Sequence, residues 1–120
     1  MASAVVTHVV TDDDTAIALR SGTVAVLATP RVVALCEDAT CQAIEGDLEP
    51  GQTTVGTEVQ LKHVAAVAVG SEVRAEATLE RVEGRRLLFT VSVTDASGLV
   101  AAGKITRVIV DEKTFLDKAR

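Results

Sequence analysis

Thr29, Glu37 and His63 are the side-chain types that acyl transfer uses: a hydroxyl to orient, a carboxylate to act as base or nucleophile, and an imidazole to hold or move a proton. Thr29 is followed by Pro30, and a Thr cap with Pro at the first helical position is a strong helix start. A helix is therefore expected from 29 to 44 or 45, closed by Gly46 with Pro50 soon after. Glu37 falls eight residues, about two turns, further along that helix. On a wheel of about 100° per residue, Arg31, Asp38, Gln42 and Glu45 share one solvent stripe, whereas Glu37 sits among Val33, Cys41 and Ile44 on the side that should meet a sheet. The helix start adds free N–H groups and a field that favours negative charge, as on a developing oxyanion.

His63 shows the same anomaly on a strand. Over residues 55–69 the odd positions Val55, Thr57, Val59, Leu61, Ala65, Val67 and Val69 form an inward face, and the period of two turns His63 onto it. A carboxylate and an imidazole that both point inward must pair or border a polar cavity, because a lone buried charge is costly. Two readings remain open from the residues: a structural Glu37–His63 pair that fixes packing, and a reactive pair facing a pocket. A pair left exposed by a different boundary or register is the third.

The elements that must position these groups are legible. A first strand is expected over 4–10, ended by Asp12, Asp13 and Asp14, which read as a solvated turn because calcium loops need alternating ligands and a distal Glu. Residues 15–28 form a loop of short, irregular structure. After the helix and a polar loop come four strand-like stretches, about 55–69, 72–82, 86–94 and 99–110, separated by short Gly-bearing turns at Gly70, Gly84 and Gly98. Val73, Ala75, Ala77 and Leu79 alternate with polar neighbours, as do Leu87, Phe89, Val91 and Val93, so the sheet has one buried face. The only long helix must cover it. Phase slips near Arg81 and Arg107 suggest bulges that curl the sheet. A tail over 112–118 has room for a turn or two of helix.

Composition bounds the function classes. With 120 residues the chain reads as one domain, 1–120. Only Phe89 and Phe115 are aromatic and the formal net charge is −5, which argues against stacking or wrapping nucleic acid. Local cations such as Arg31, Lys62, Arg74, Arg85 and Arg86 still suffice for a phosphate-bearing small molecule. No secretory signal or membrane-length apolar run is evident, so a soluble, cytoplasmic protein without membrane partners is expected. Cys36 and Cys41, five apart on a helix, point in different directions and read as two small buried hydrophobes rather than a disulfide. No metal site and no cofactor are expected.

Thr29 and Glu37 in ATPRVVALCEDA, then His63 in GTEVQLKH with Gly56 and Thr57 at its start, resemble the hotdog-fold thioesterases related to fluoroacetyl-CoA thioesterase; VEGRRL at 82–87 is similar to a turn between that family's strands. The resemblance implies an α+β hotdog fold, an antiparallel sheet wrapped around one long central helix. It further implies hydrolysis of an acyl-CoA thioester, of a short or small acyl group, to acid and free CoA. Glu37 would be base or nucleophile, His63 would polarise the carbonyl or protonate the leaving thiolate, and Thr29 would orient them. Gly56 would bring backbone close to the acyl group, and Arg31 is a candidate for contacting the CoA. A homodimer joined edge to edge, with each site drawing on both chains, is also implied, and its pairing into tetramers stays open. The fluoroacetyl enzyme carries aromatic lid residues before its helix, whereas residues 15–28 contain none. A binding protein for acyl-CoA or another small ligand is the non-enzymatic alternative. A hydratase of the same fold would need an Asp-x-x-x-x-His arrangement that this sequence lacks.

Overall fold

The computed structural model describes residues 2–120. Strand β1 (Ser3–Val9) is followed by the long helix α1 (Thr29–Ile44) and then by β2 (Gln52–His63), β3 (Glu72–Glu83), β4 (Arg86–Asp95), β5 (Gly98–Asp111) and a short helix α2 (Glu112–Asp117). The strands form one antiparallel sheet in the order β1-β3-β4-β5-β2. The expected alternation is realised. Val73, Ala75 and Ala77 of β3 and Leu87, Phe89, Val91 and Val93 of β4 are buried, facing Val32, Leu35, Cys36 and Ala39 of α1. The small side chains of β3 allow close approach of the helix. This is the α+β hotdog arrangement, a sheet curled around one long helix.

Four details differ from the sequence expectation. The stretch 55–69 is not one strand, since β2 ends at His63 and the next residues leave the sheet. There the Val64 and Ala65 amides both donate to Val100 O, and Val67 O accepts the Leu27 amide, so this stretch pins the loop before the helix rather than extending the ladder. The slip near Arg81 is a register shift between Leu79 and Arg81, as expected. The slip near Arg107 is not in β5: the shift lies opposite, between Gly56 and Glu58 of β2, and Arg107 keeps the inward parity of Ala101 and Ile105. Cys41 is exposed, and only Cys36 is buried, its thiol pushed up to about 11 by burial and by the neighbouring Glu37. Asp14 is also buried, unlike Asp12 and Asp13, so the acidic turn is only partly solvated.

Coverage of the sheet is uneven. Helix α1 lies mainly on β1 and β3 and only marginally on β2 and β5. The middle of β2, from Gly56 to Gln60, is consequently exposed, Val59 included. Strand β2 is also an edge, and among the described residues no strand pairs with its outer side. A twelve-residue edge with free N–H and C=O groups is a template for another strand.

Candidate active site

Thr29 is the first residue of α1, and Ala28 rather than Thr29 occupies the cap position. Pro30 is thus the second helical residue, where a missing N–H still costs nothing. The Thr29 hydroxyl is released from capping and lies 2.8 Å from His63 Nδ1 at the end of β2. His63 Nε2 is buried and has no hydrogen-bond partner among the described residues. Such an atom costs about 1–3 kcal/mol of lost hydration unless something else meets it. The pair borders a groove of 360 Å³ whose walls include Ala16, Val24, Val26, Ala65 and Ala66.

Glu37 stands two turns down the helix, about 12 Å from Thr29 along the axis. Its carboxylate meets Arg107, with Nη1 3.3 Å from Oε2. The Arg107 guanidinium is buried and held by the Thr54 hydroxyl at 2.9 Å from Nε and the Thr54 carbonyl at 3.0 Å from Nη2. Gly56 completes this corner: a Cβ there would lie 2.7 Å from Glu37 Oε2 and 3.4 Å from Arg107 Nη1. The glycine makes room for the carboxylate.

Within one chain the predicted residues therefore form two clusters. Thr29 and His63 meet at the C-terminal end of β2, and Glu37, Gly56 and Arg107 meet in its first half, with Gly56 and His63 separated by about 23 Å of strand. Glu37 does not pair with His63 inside the chain, one of the three arrangements the residues left open; Arg107 is its partner instead. The sequence reading missed Arg107 because it assigned a bulge to β5. The signal was the same one that exposed His63, a polar residue in phase with Ala101, Gly103 and Ile105.

Arg31 is held away from solvent wandering by Asp14, whose Oδ1 accepts its Nε–H at 2.8 Å. Asp14 Oδ2 in turn lies 2.7 Å from His8 Nε2 and accepts the Thr11 amide at 2.7 Å. Burial pushes the Asp14 carboxyl up, but hydrogen bonds from the Thr11 amide, from His8 and from the Thr11 hydroxyl outweigh it and bring it down to about 2. The oxyanion expectation at the helix start narrows, because Pro30 has no N–H and the Arg31 and Val32 amides both donate to Ala28 O. Among the described residues no group of His, Cys, Asp and Glu could hold a metal ion, and no helix is long and apolar enough to cross a membrane.

Residues 10–113 match the fluoroacetyl-CoA-specific thioesterase family, FlK. The chain belongs to this family. Fluoroacetyl-CoA thioesterase of Streptantibioticus cattleyicolor is 37% identical over 95 residues, which span 79% of this chain and 68% of that one. A solved structure of the fluoroacetyl-CoA thioesterase FlK superposes with a TM-score of 0.92 at 31% identity, covering 97% of this chain and 90% of that chain. A thioesterase-superfamily protein of Thermus thermophilus superposes with a TM-score of 0.88 at 31% identity, covering 96% and 85%. The fold and the thioester-hydrolase class of the FlK-family chain are thus fixed.

Proposed function

We propose that this FlK-family chain hydrolyses a small acyl-CoA thioester in a site shared between two copies. The single observation that carries the reading is the separation of the reactive groups along edge strand β2, Thr29 with His63 at its C-terminal end and Glu37 with Gly56 in its first half. If two copies pair β2 with β2 antiparallel about an axis near Val59 and Gln60, Gly56 of one faces His63 of the other. Glu37 of one protomer then meets the partner's Thr29 and His63. The same pairing satisfies the free edge of β2 and covers the exposed middle of the strand. Crystals of a FlK variant with fluoroacetate and CoA concern a chain that superposes with a TM-score of 0.89 at 31% identity over 94% of this chain and 95% of that one, which favours CoA as the carrier here.

In this site Arg107, tied to Thr54, holds the Glu37 carboxylate where it can attack the thioester carbonyl or activate water. Thr29 fixes the ring of His63 through Nδ1, which aims Nε2 at the carbonyl oxygen or the departing sulfur. Thiolate leaves and takes a proton from His63 or water, and water supplies the hydroxyl of the product acid, either by attacking the thioester directly or by cleaving the anhydride first formed on Glu37, which restores the carboxylate. The role of Gly56 is to admit the carboxylate and the acyl carbon to one small space. Arg31 stands two residues after Thr29 with its Nε engaged, leaving the terminal nitrogens as a phosphate-seeking fork for CoA. No cofactor or metal enters these steps, and the protein works as a cytoplasmic homodimer.

Free CoA released from an acyl-CoA panel, followed with a thiol reagent, tests the function. Activity should fall by at least about 100-fold in Glu37→Ala and in His63→Ala. Undiminished release in both variants would remove the site.

A further inference from the structure

Resting on the thioesterase reading, we infer that the groove beside Thr29 and His63 receives a saturated straight acyl chain of about four to eight carbons, rather than only a two-carbon or charged acyl group. The groove is lined by Ala16, Val24, Val26, Val64, Ala65 and Ala66, and none of its lining side chains is an acid, a lysine or an arginine. The nucleotide half of CoA, with its phosphates, has no counterpart there, so only the acyl half suits it. Thr29 and His63 line this groove, so an acyl group whose carbonyl is held by that pair has these aliphatic walls beside it.

Volume leaves room for such a chain. A methylene occupies roughly the space of a water, about 30 Å³, so eight carbons fill about 240 Å³, and a two-carbon group leaves most of the groove wet. The groove, 360 Å³ and open to solvent along one side, has room for the longer chain to lie along its apolar wall. Val24 and Val64 stand 58% and 60% exposed on these walls, apolar surface that an aliphatic chain would remove from water. Ile17 and Leu19, also exposed, continue the apolar character of the same loop.

Binding is measured first, by calorimetry with S-ethyl-, S-butyl- and S-hexyl-CoA thioethers, which cannot be hydrolysed. Kd should tighten about fourfold per methylene. Equal affinity from ethyl to hexyl overturns the inference, whether or not the protein turns over thioesters; a groove filled by a second copy would give that flat result. Hydrolysis of acetyl- to octanoyl-CoA is measured beside it, and kcat/KM should climb with length to a maximum at six to eight carbons. Length-dependent binding without turnover of any thioester would leave the groove assignment standing and sink the thioesterase reading. Val24→Phe, at an exposed position that the fold tolerates, should lower the ratio of hexanoyl to acetyl turnover at least tenfold, and an unchanged ratio counts against the groove.

Discussion

Gly56→Ala separates the placement of the Glu37 carboxylate from the stability of the fold. The added Cβ would stand 2.7 Å from Glu37 Oε2, whereas ordinary contact begins at 3.4 Å, so the carboxylate must withdraw by about 0.7 Å. Arg107 cannot follow it, being buried and tied twice to Thr54. Glu37, with 38% of its side chain exposed, yields toward solvent instead. The strand itself tolerates alanine, whose lower unfolded-state entropy offsets some of the crowding, so stability should change by no more than about 1 kcal/mol. A carboxylate displaced by most of an ångström should cost about 10- to 100-fold in kcat with little change in KM. Steady-state kinetics and urea unfolding on the same preparations read both quantities. Gly46→Ala, where an added Cβ meets nothing within 4 Å, is the control and should be silent in kcat. Full kcat in Gly56→Ala would refute the idea that this corner holds the reacting carboxylate.

Thr29→Ala should reduce kcat about 100-fold while changing stability by less than about 1 kcal/mol, because the hydroxyl binds His63 and caps nothing; Thr29→Ser should recover most of the rate, and kinetics with thermal melts check both. Arg107→Leu should destabilise by about 2–3 kcal/mol in urea titration, since it strips the Thr54 carbonyl and Glu37 of their buried partner. Gly103→Ala should be worse for folding than any site variant, because its Cβ would overlap Gln60 O of the neighbouring strand, and a melting temperature within a degree or two of wild type would contradict the β2–β5 register. The lowered Asp14 carboxyl contributes stability that is complete above about pH 5 and disappears as pH falls from 3.8 through about 2; in Asp14→Asn that part of the acid limb, about 2 kcal/mol, should vanish from unfolding curves taken across pH 2–5.

Most of the fold was legible because period and punctuation agreed. The alternation of Val73, Ala75 and Ala77 and of Leu87, Phe89, Val91 and Val93 specified which face of the meander is buried, and Pro30 and Gly46 bracketed the helix to within two residues of its observed ends. Residues 64–69 misled because alternation continues in Val67 and Val69 after the strand has left the sheet; a bridge from Val26 to Ala68 is a tertiary contact that no local pattern announces. Thr29, Glu37 and His63 were visible as polar residues out of phase with their elements. Their partners were not. Which inward polar group meets which depends on how far along β2 each lies, and the 12 Å between Thr29 and Glu37 on the helix, about two turns, already separates them too widely for one imidazole to serve both. Arg107 was hidden by a wrongly placed bulge, and Asp14 by two exposed neighbours of the same type.

A site divided between protomers is tested most directly by complementation. Glu37→Ala and His63→Ala are each purified, shown to be inactive, then mixed under conditions that exchange subunits. A mixed dimer holds one site with both residues intact and one with neither, and random pairing puts half the protein in mixed dimers, so activity should return to about a quarter of wild type. Mixtures that exchange subunits yet stay as inactive as the separate variants would contradict the shared site.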